Sequence, residues 1–257
     1  MYSFLTVWQN QPIIRVRKGR YLFNFFINIS AGVGGKCSME GKRLTSYAME
    51  ELECPKCGHK HSLKKYKVIN VTEKAKLKEE IMKNRLYQFS CEECEYMAPL
   101  TYDSLYVDSR RNIMIYMAPV MNAEIKAEIA ELEQEKGIDK RLVDNINDLK
   151  EKIMIVDNHL DDRVIEIIKI MYLDQIKKEM EDDTLLNILF DYNRDNYCFL
   201  VFFQKKGIGK IPLTREFYRQ VEDKYKEAIK EHSTDGFMKI DMEWAGKILF
   251  KNHNKFN

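Results

Sequence analysis

The chain has 257 residues, 45% of them apolar and 32% charged, a globular composition that excludes a disordered chain. Its net charge of +2 is uneven: residues 1–38 hold five of the 42 basic residues and no acidic one, which leaves 37 basic against 40 acidic residues beyond them. A slightly acidic body does not favour nucleic acid as a general partner, and the lack of any run of 18 apolar residues excludes a membrane-spanning helix.

Residues 1–48 stand apart as a leader. "IIRVR" and "LFNFFINI" read as the two strands of a hairpin. The later "GGKCSM" (Gly34–Met39) has the look of a translated ribosome-binding site, which would place the true start at Met39 or Met49. No function is assigned there.

The next part, residues 49–121, reads as a β-rich domain built around two C-x-x-C pairs. "KKYKVINV" (Lys64–Val71) alternates and is rich in β-branched residues, so it predicts a strand. Thr72 is placed to cap a short helix, "EKAKLKEEIMK" (Glu73–Lys83), with Leu77 and Ile81 on one face. "RLYQFSC" (Arg85–Cys91) predicts a second strand. Residues 122–184 predict three amphipathic helices packed antiparallel. They are "NAEIKAEIAELEQEKG" behind the cap Asn122, "DKRLVDNINDLKEKIMIV" with a seam of Leu142, Ile146, Leu149 and Ile153, and "LDDRVIEIIKIMYLDQIKKEM". Residues 185–257 return to mixed structure. "YCFLVFFQ" is a buried strand that places Cys198 in the core, "KKGIGKI" a turn into another strand, and "LTREFYRQVEDKYKEAIKEH" a helix capped by Thr214. "GFMKIDMEWAGKILF" gives a final strand and helix, with Trp244 packed inward.

Four of the six cysteines fall in "CPKCG" and "CEEC". A C-x-x-C turn supplies two adjacent corners of a tetrahedron, and two such turns complete the four-sulfur set that structural zinc takes. Cys54, Cys57, Cys91 and Cys94 are therefore the candidate metal ligands, and Zn2+ the candidate cofactor. Thiols that merely pack or form disulfides, and an iron–sulfur centre, are the alternatives. Glu92 and Glu95 stand where Pro and Gly suit such a turn. His59 and His61 follow the first pair; either could replace a cysteine, but with four sulfurs present both read as surface residues. Four ligands leave no open position, so the metal reads as structural rather than catalytic.

These residues carry a family likeness. "CPKCG", "INVTEKAKLKEEIMKNRLYQFSCEEC" and "NIMIYMAP" resemble the bacterial CpXC-domain proteins, and the likeness extends over Glu51 to Lys169 and more loosely over the C-terminal third. It implies that Cys54, Cys57, Cys91 and Cys94 are the defining cysteines, and it implies no activity. The fold class expected is α+β: a zinc-ribbon-like β domain with an inserted short helix, a helical segment and a small C-terminal α+β part.

Three functions fit. The first is a cytoplasmic zinc-stapled interaction or regulatory module for a protein partner that the sequence does not identify. The second is a nucleic-acid-binding ribbon using Lys60, Lys64, Lys65 and Lys67 in "HKHSLKKYK". The third is an enzyme with a second site at Asp161, Asp162 and Arg163 beside His159, with Arg163 pairing Glu166; helix capping explains the same residues. No catalytic or cofactor-binding residue is assigned.

Overall fold

The computed structural model describes residues 14–15, 44–179, 182–193 and 196–253. The proposed start sites and the expected "LFNFFINI" strand fall wholly or partly outside them; of the "IIRVR" segment, Ile14–Arg15 form a two-residue strand, β1. The fold is α+β, and the chain divides into two compact units, residues 1–121 and 122–257. No helix among the described residues is long and apolar enough to cross a membrane.

In the first unit, strand β2 (Ser46–Glu53) runs antiparallel to β3 (Lys60–Asn70), forming a long ribbon with the first C-x-x-C turn at its tip. Helix α1 (Lys76–Met82) and strands β4 (Gln88–Ser90) and β5 (Met97–Thr101) follow, and the second C-x-x-C turn joins β4 to β5. β6 (Ser104–Asp108) then pairs parallel to β3, and β7 (Ile113–Met117) antiparallel to β6. β6 and β7 are buried at every position, as strands covered on both faces must be, and read as continuous apolar runs broken only by Ser104 and Asp108.

The helix of this unit is shorter than predicted. Thr72 does not cap it; its hydroxyl accepts the Ser109 N–H at 2.8 Å. The turn is instead organised by Asn70, whose Oδ1 accepts the N–H groups of Thr72 and Glu73 at 3.0 and 3.1 Å. An Asx turn of this kind competes with helix for the same backbone donors. Leu77 and Ile81 are buried, as their spacing predicts. The predicted strand at Arg85 begins with a helical turn over Arg85–Tyr87 and extends only at Gln88.

In the second unit, α2 (Ala123–Leu132) is capped by Asn122, whose side chain accepts the Ile125 N–H at 2.9 Å. The following helix is not continuous over "DKRLVDNIND…": Asp139–Val143 is a strand, β8, and α3 (Ile146–Asp157) starts behind Asn145, which accepts the Asp148 N–H. The 4-3-4 spacing that placed Leu142 on the helix seam is coincidental there, and the Asn145 cap marks the true boundary. α4 (Asp162–Glu179) follows, then β9 (Leu185–Asn193), β10 (Asn196–Phe203) and β11 (Gly207–Leu213) as an antiparallel meander. Gly207 takes φ +81 at the start of β11, where the turn from β10 ends and glycine avoids the Cβ clash. α5 (Arg215–Glu231), capped by Thr214, and α6 (Met242–His253) complete the unit.

One core unites the predicted helical and C-terminal parts. Ile155, Val164, Ile165 and Ile168 pack with Phe190, Phe199, Val201, Tyr218 and Ile248, and Trp244 packs against them. Cys198 does not join them. The strand period of two puts Tyr197, Phe199 and Val201 inward and Cys198 on the opposite face, where it is half-buried with its Sγ 4.0 Å from Asp191 Oδ2.

Candidate metal centre

The two C-x-x-C turns have the same backbone. In the first, the Gly58 N–H donates to the Cys54 carbonyl at 2.9 Å and the Cys54 N–H to the His59 carbonyl at 2.8 Å. In the second, Glu95 donates to Cys91 at 3.0 Å and Cys91 to Tyr96 at 2.8 Å. The residue after the second cysteine is left-handed in both, with φ +74 at Gly58 and +56 at Glu95. That conformation costs a residue with a Cβ about 1–2 kcal/mol. Glu95, which stands where Gly suits the turn, adopts the glycine conformation under strain. Lys56 links the knuckles through its Nζ, 3.5 Å from the Cys94 carbonyl.

All four Sγ atoms lie within 4.8 Å of one another. Cys54 and Cys94 approach to 3.7 Å, and Cys57 and Cys91 to 3.6 Å. Four sulfurs about 2.3 Å from one ion are about 3.8 Å apart along tetrahedral edges, so the donor set fits a metal ion. Cys54 and Cys91 are 2% and 1% exposed, whereas Cys57 is open to solvent.

The electrostatics agree. Burial raises the Cys54 thiol, but the backbone N–H groups of Cys57 and Lys56, together with the Cys57 and Cys91 thiols, more than offset this and bring it down to about 7. The His59 N–H draws Cys57 down, yet desolvation and the neighbouring sulfurs push it up to about 12. Burial also pushes Cys94 up. Thiols this crowded do not all ionise alone; a divalent cation replaces their protons and compensates the repulsion.

His59 is exposed, but His61 is not simply a surface residue. It sits on the inner side of the ribbon with Nε2 3.2 Å from Cys91 Sγ. The strand period held the clue: His61, Leu63 and Lys65 share the inward face of β3, where Lys65 is buried.

The second candidate site resolves into two different environments. Asp161 caps α4, its Oδ1 accepting the Arg163 N–H at 2.9 Å, and its carboxylate pairs with the Arg163 guanidinium at 2.7 Å. Arg163 bonds to Asp161 and Ser233, and Glu166 is held by Lys152 and Lys169 at 3.1 and 3.0 Å. Asp162 points inward to a doubly bonded Arg141 (2.8 Å to each oxygen) and to Lys152 at 3.3 Å. Burial alone raises the Asp162 carboxyl; the charges of Arg141 and Lys152 reverse that and hold it well below the usual carboxylate range. Lys169 joins Glu151 at 2.8 Å. Three cations (Arg141, Lys152, Lys169) thus face three carboxylates (Glu151, Asp162, Glu166), all with side chains 7% exposed or less. The set is closed to solvent, and the arrangement is that of a structural network. Its sequence signal lies in "VIEIIKIM": a helix apolar all round is buried, so Glu166 and Lys169 within it need buried partners.

Residues 52–169 match the model of the family described as "CpXC protein". Neither the curated proteins nor the solved structures contain a match to the chain.

Proposed function

We propose, from the premise that residues 52–169 of this chain are a CpXC domain, that the four cysteines hold a structural zinc ion and that the domain so stapled is a protein-interaction or regulatory module. The convergence of four sulfurs carries the reading: a complete thiolate set leaves no position for a substrate or a catalytic water. Bound zinc would supply four Zn–S bonds that cross-link the β2–β3 and β4–β5 turns. The chain's part is to present the thiolates. Two matched hairpins aim them, and backbone N–H groups at Cys54 favour its ionised form. Free thiols at this spacing suit a reducing compartment such as the cytoplasm.

Support for a protein partner comes from the outer face of the ribbon, where Tyr47 and Met49 are 49% and 56% exposed; aromatic and methionine side chains are enriched at such interfaces. The lysines that would make this ribbon a nucleic-acid binder are partly neutralised. Lys65 pairs with Glu50 at 2.7 Å and Lys67 with Asp103 at 2.8 Å. Retention on heparin with a steep salt dependence would favour the nucleic-acid reading over this one.

Metal content and thiol titration on protein purified under reducing conditions, repeated after chelation with circular dichroism, test the proposal. It expects one zinc per chain, four protected thiols, and loss of the first unit's structure on removal. Absence of metal, or removal without structural change, would overturn it.

A further inference from the structure

We propose that His61 is a positioning residue of the zinc centre: its Nε2–H donates to the Cys91 thiolate, orients it and lowers its charge. This rests on the zinc reading above. The imidazole Nε2 lies 3.2 Å from Cys91 Sγ. A metal-bound thiolate has no proton to give and can only accept, so the proton between the two atoms belongs to Nε2 and the tautomer is fixed. The ring is set for this bond by its neighbours. Phe89 meets it edge-on, with centroids 5.3 Å apart and planes at 81°, and His59 packs at 4.9 Å. Phe89 is fully buried, two residues before Cys91 on β4, so the strand that delivers the sulfur also delivers the wall that orients the imidazole.

The two knuckles share every backbone bond described above, and the imidazole breaks their symmetry on the Cys91 side. Four thiolates around a divalent ion carry net negative charge. An N–H directed at one of them withdraws electron density from that sulfur and disfavours its protonation and departure. Cys91, already 1% exposed, becomes the most firmly held ligand. Opening of the centre is thereby directed to the solvent-exposed Cys57.

The test uses the full chain loaded with Co2+ or Zn2+, comparing the native protein with His61→Phe and His61→Gln. Phenylalanine keeps the ring contact with Phe89 and removes the donor; glutamine returns an amide N–H. His61→Phe is expected to weaken metal affinity 10–100-fold, the range typical of partners that orient a ligand, in competition with a chromophoric chelator. It should also move the thiolate-to-cobalt charge-transfer band to lower energy, and His61→Gln should restore both. Unchanged affinity and band energy in His61→Phe would overturn the proposal, as would a loss that glutamine does not recover, since that reports packing. A native spectrum of three thiolates with Cys91 open to alkylation would overturn it too, making His61 a ligand. Failure of the native protein to take up either ion would sink the zinc reading itself and this proposal with it, an outcome distinct from all the others.

Discussion

Substituting Asp162 by Asn is expected to destabilise the second unit by about 3–5 kcal/mol, the cost of removing one partner from a buried ion pair. The side chain is 4% exposed and is met by Arg141 on both oxygens, at 2.8 Å each, and by Lys152 at 3.3 Å. Asparagine keeps the shape but leaves two buried cations facing a neutral amide. The neighbouring Asp161→Ala removes a partly exposed cap and its local ion pair, both side chains 24% exposed, and is expected to cost only about 0.5–2 kcal/mol. Urea unfolding followed by Trp244 fluorescence, in a Trp8→Phe background, reads the second unit, because Trp244 packs against its core. A loss of this size lowers Tm by about 10–20 °C for a unit of this length. The pH profile gives a second check. The Asp162 carboxyl is depressed in the folded state. Its contribution is therefore complete above the unfolded value of about 3.9 and is lost as pH falls through the lower folded value. Native protein should lose stability in acid through this group, and the Asn variant should lack that component. A cost below about 1 kcal/mol, or equal costs at the two aspartates, would refute the buried-network reasoning.

Gly58→Ala should destabilise the first unit by about 1–2 kcal/mol, because φ +74 is left-handed; Glu95→Gly should be neutral or stabilising by up to about 1 kcal/mol, and thermal unfolding of the zinc-loaded protein measures both. Replacing Cys57 by Ser should lower zinc affinity by orders of magnitude in a chelator competition, since the sulfur supplies one of four bonds at a site whose apparent binding energy is about 10–16 kcal/mol. Zinc uptake should release protons from Cys57 and Cys94, thiols held up by desolvation and by neighbouring sulfurs, so uptake measured in two buffers of different ionisation enthalpy should give different apparent heats. Lys152→Met should cost about 3–5 kcal/mol by leaving Asp162 and Glu166 each short of a buried cation; denaturant midpoints check it.

Local signals were legible where the chemistry is local. The caps Asn122 and Thr214 were readable because a side-chain acceptor three residues ahead of a free N–H is a property of the segment itself. Thr72 failed as a cap because Asn70 competes for the same turn and Ser109, 37 residues on, takes its hydroxyl. The Leu142 seam failed because Asp139–Val143 is fixed as a strand by distant contacts, among them a bridge from Arg141 to Met238. Strand β9 gave no reading of its own; its residues become a strand by pairing with β10.

The sequence by itself determined the α+β class, the CpXC likeness, and the identity of the four sulfurs, because C-x-x-C spacing is a local constraint that only a few turn geometries satisfy. Tertiary structure decided what lies around them. It turned His61 toward Cys91, gave Asp161 to Arg163 at the partly exposed helix start and Asp162 to the buried Arg141, and matched Glu166 and Lys169 with Lys152 and Glu151. Glu166 and Lys169 also meet each other three residues apart, but their burial and their partners Lys152 and Glu151, like the Asp162–Arg141 pair, depend on segments well separated in the chain.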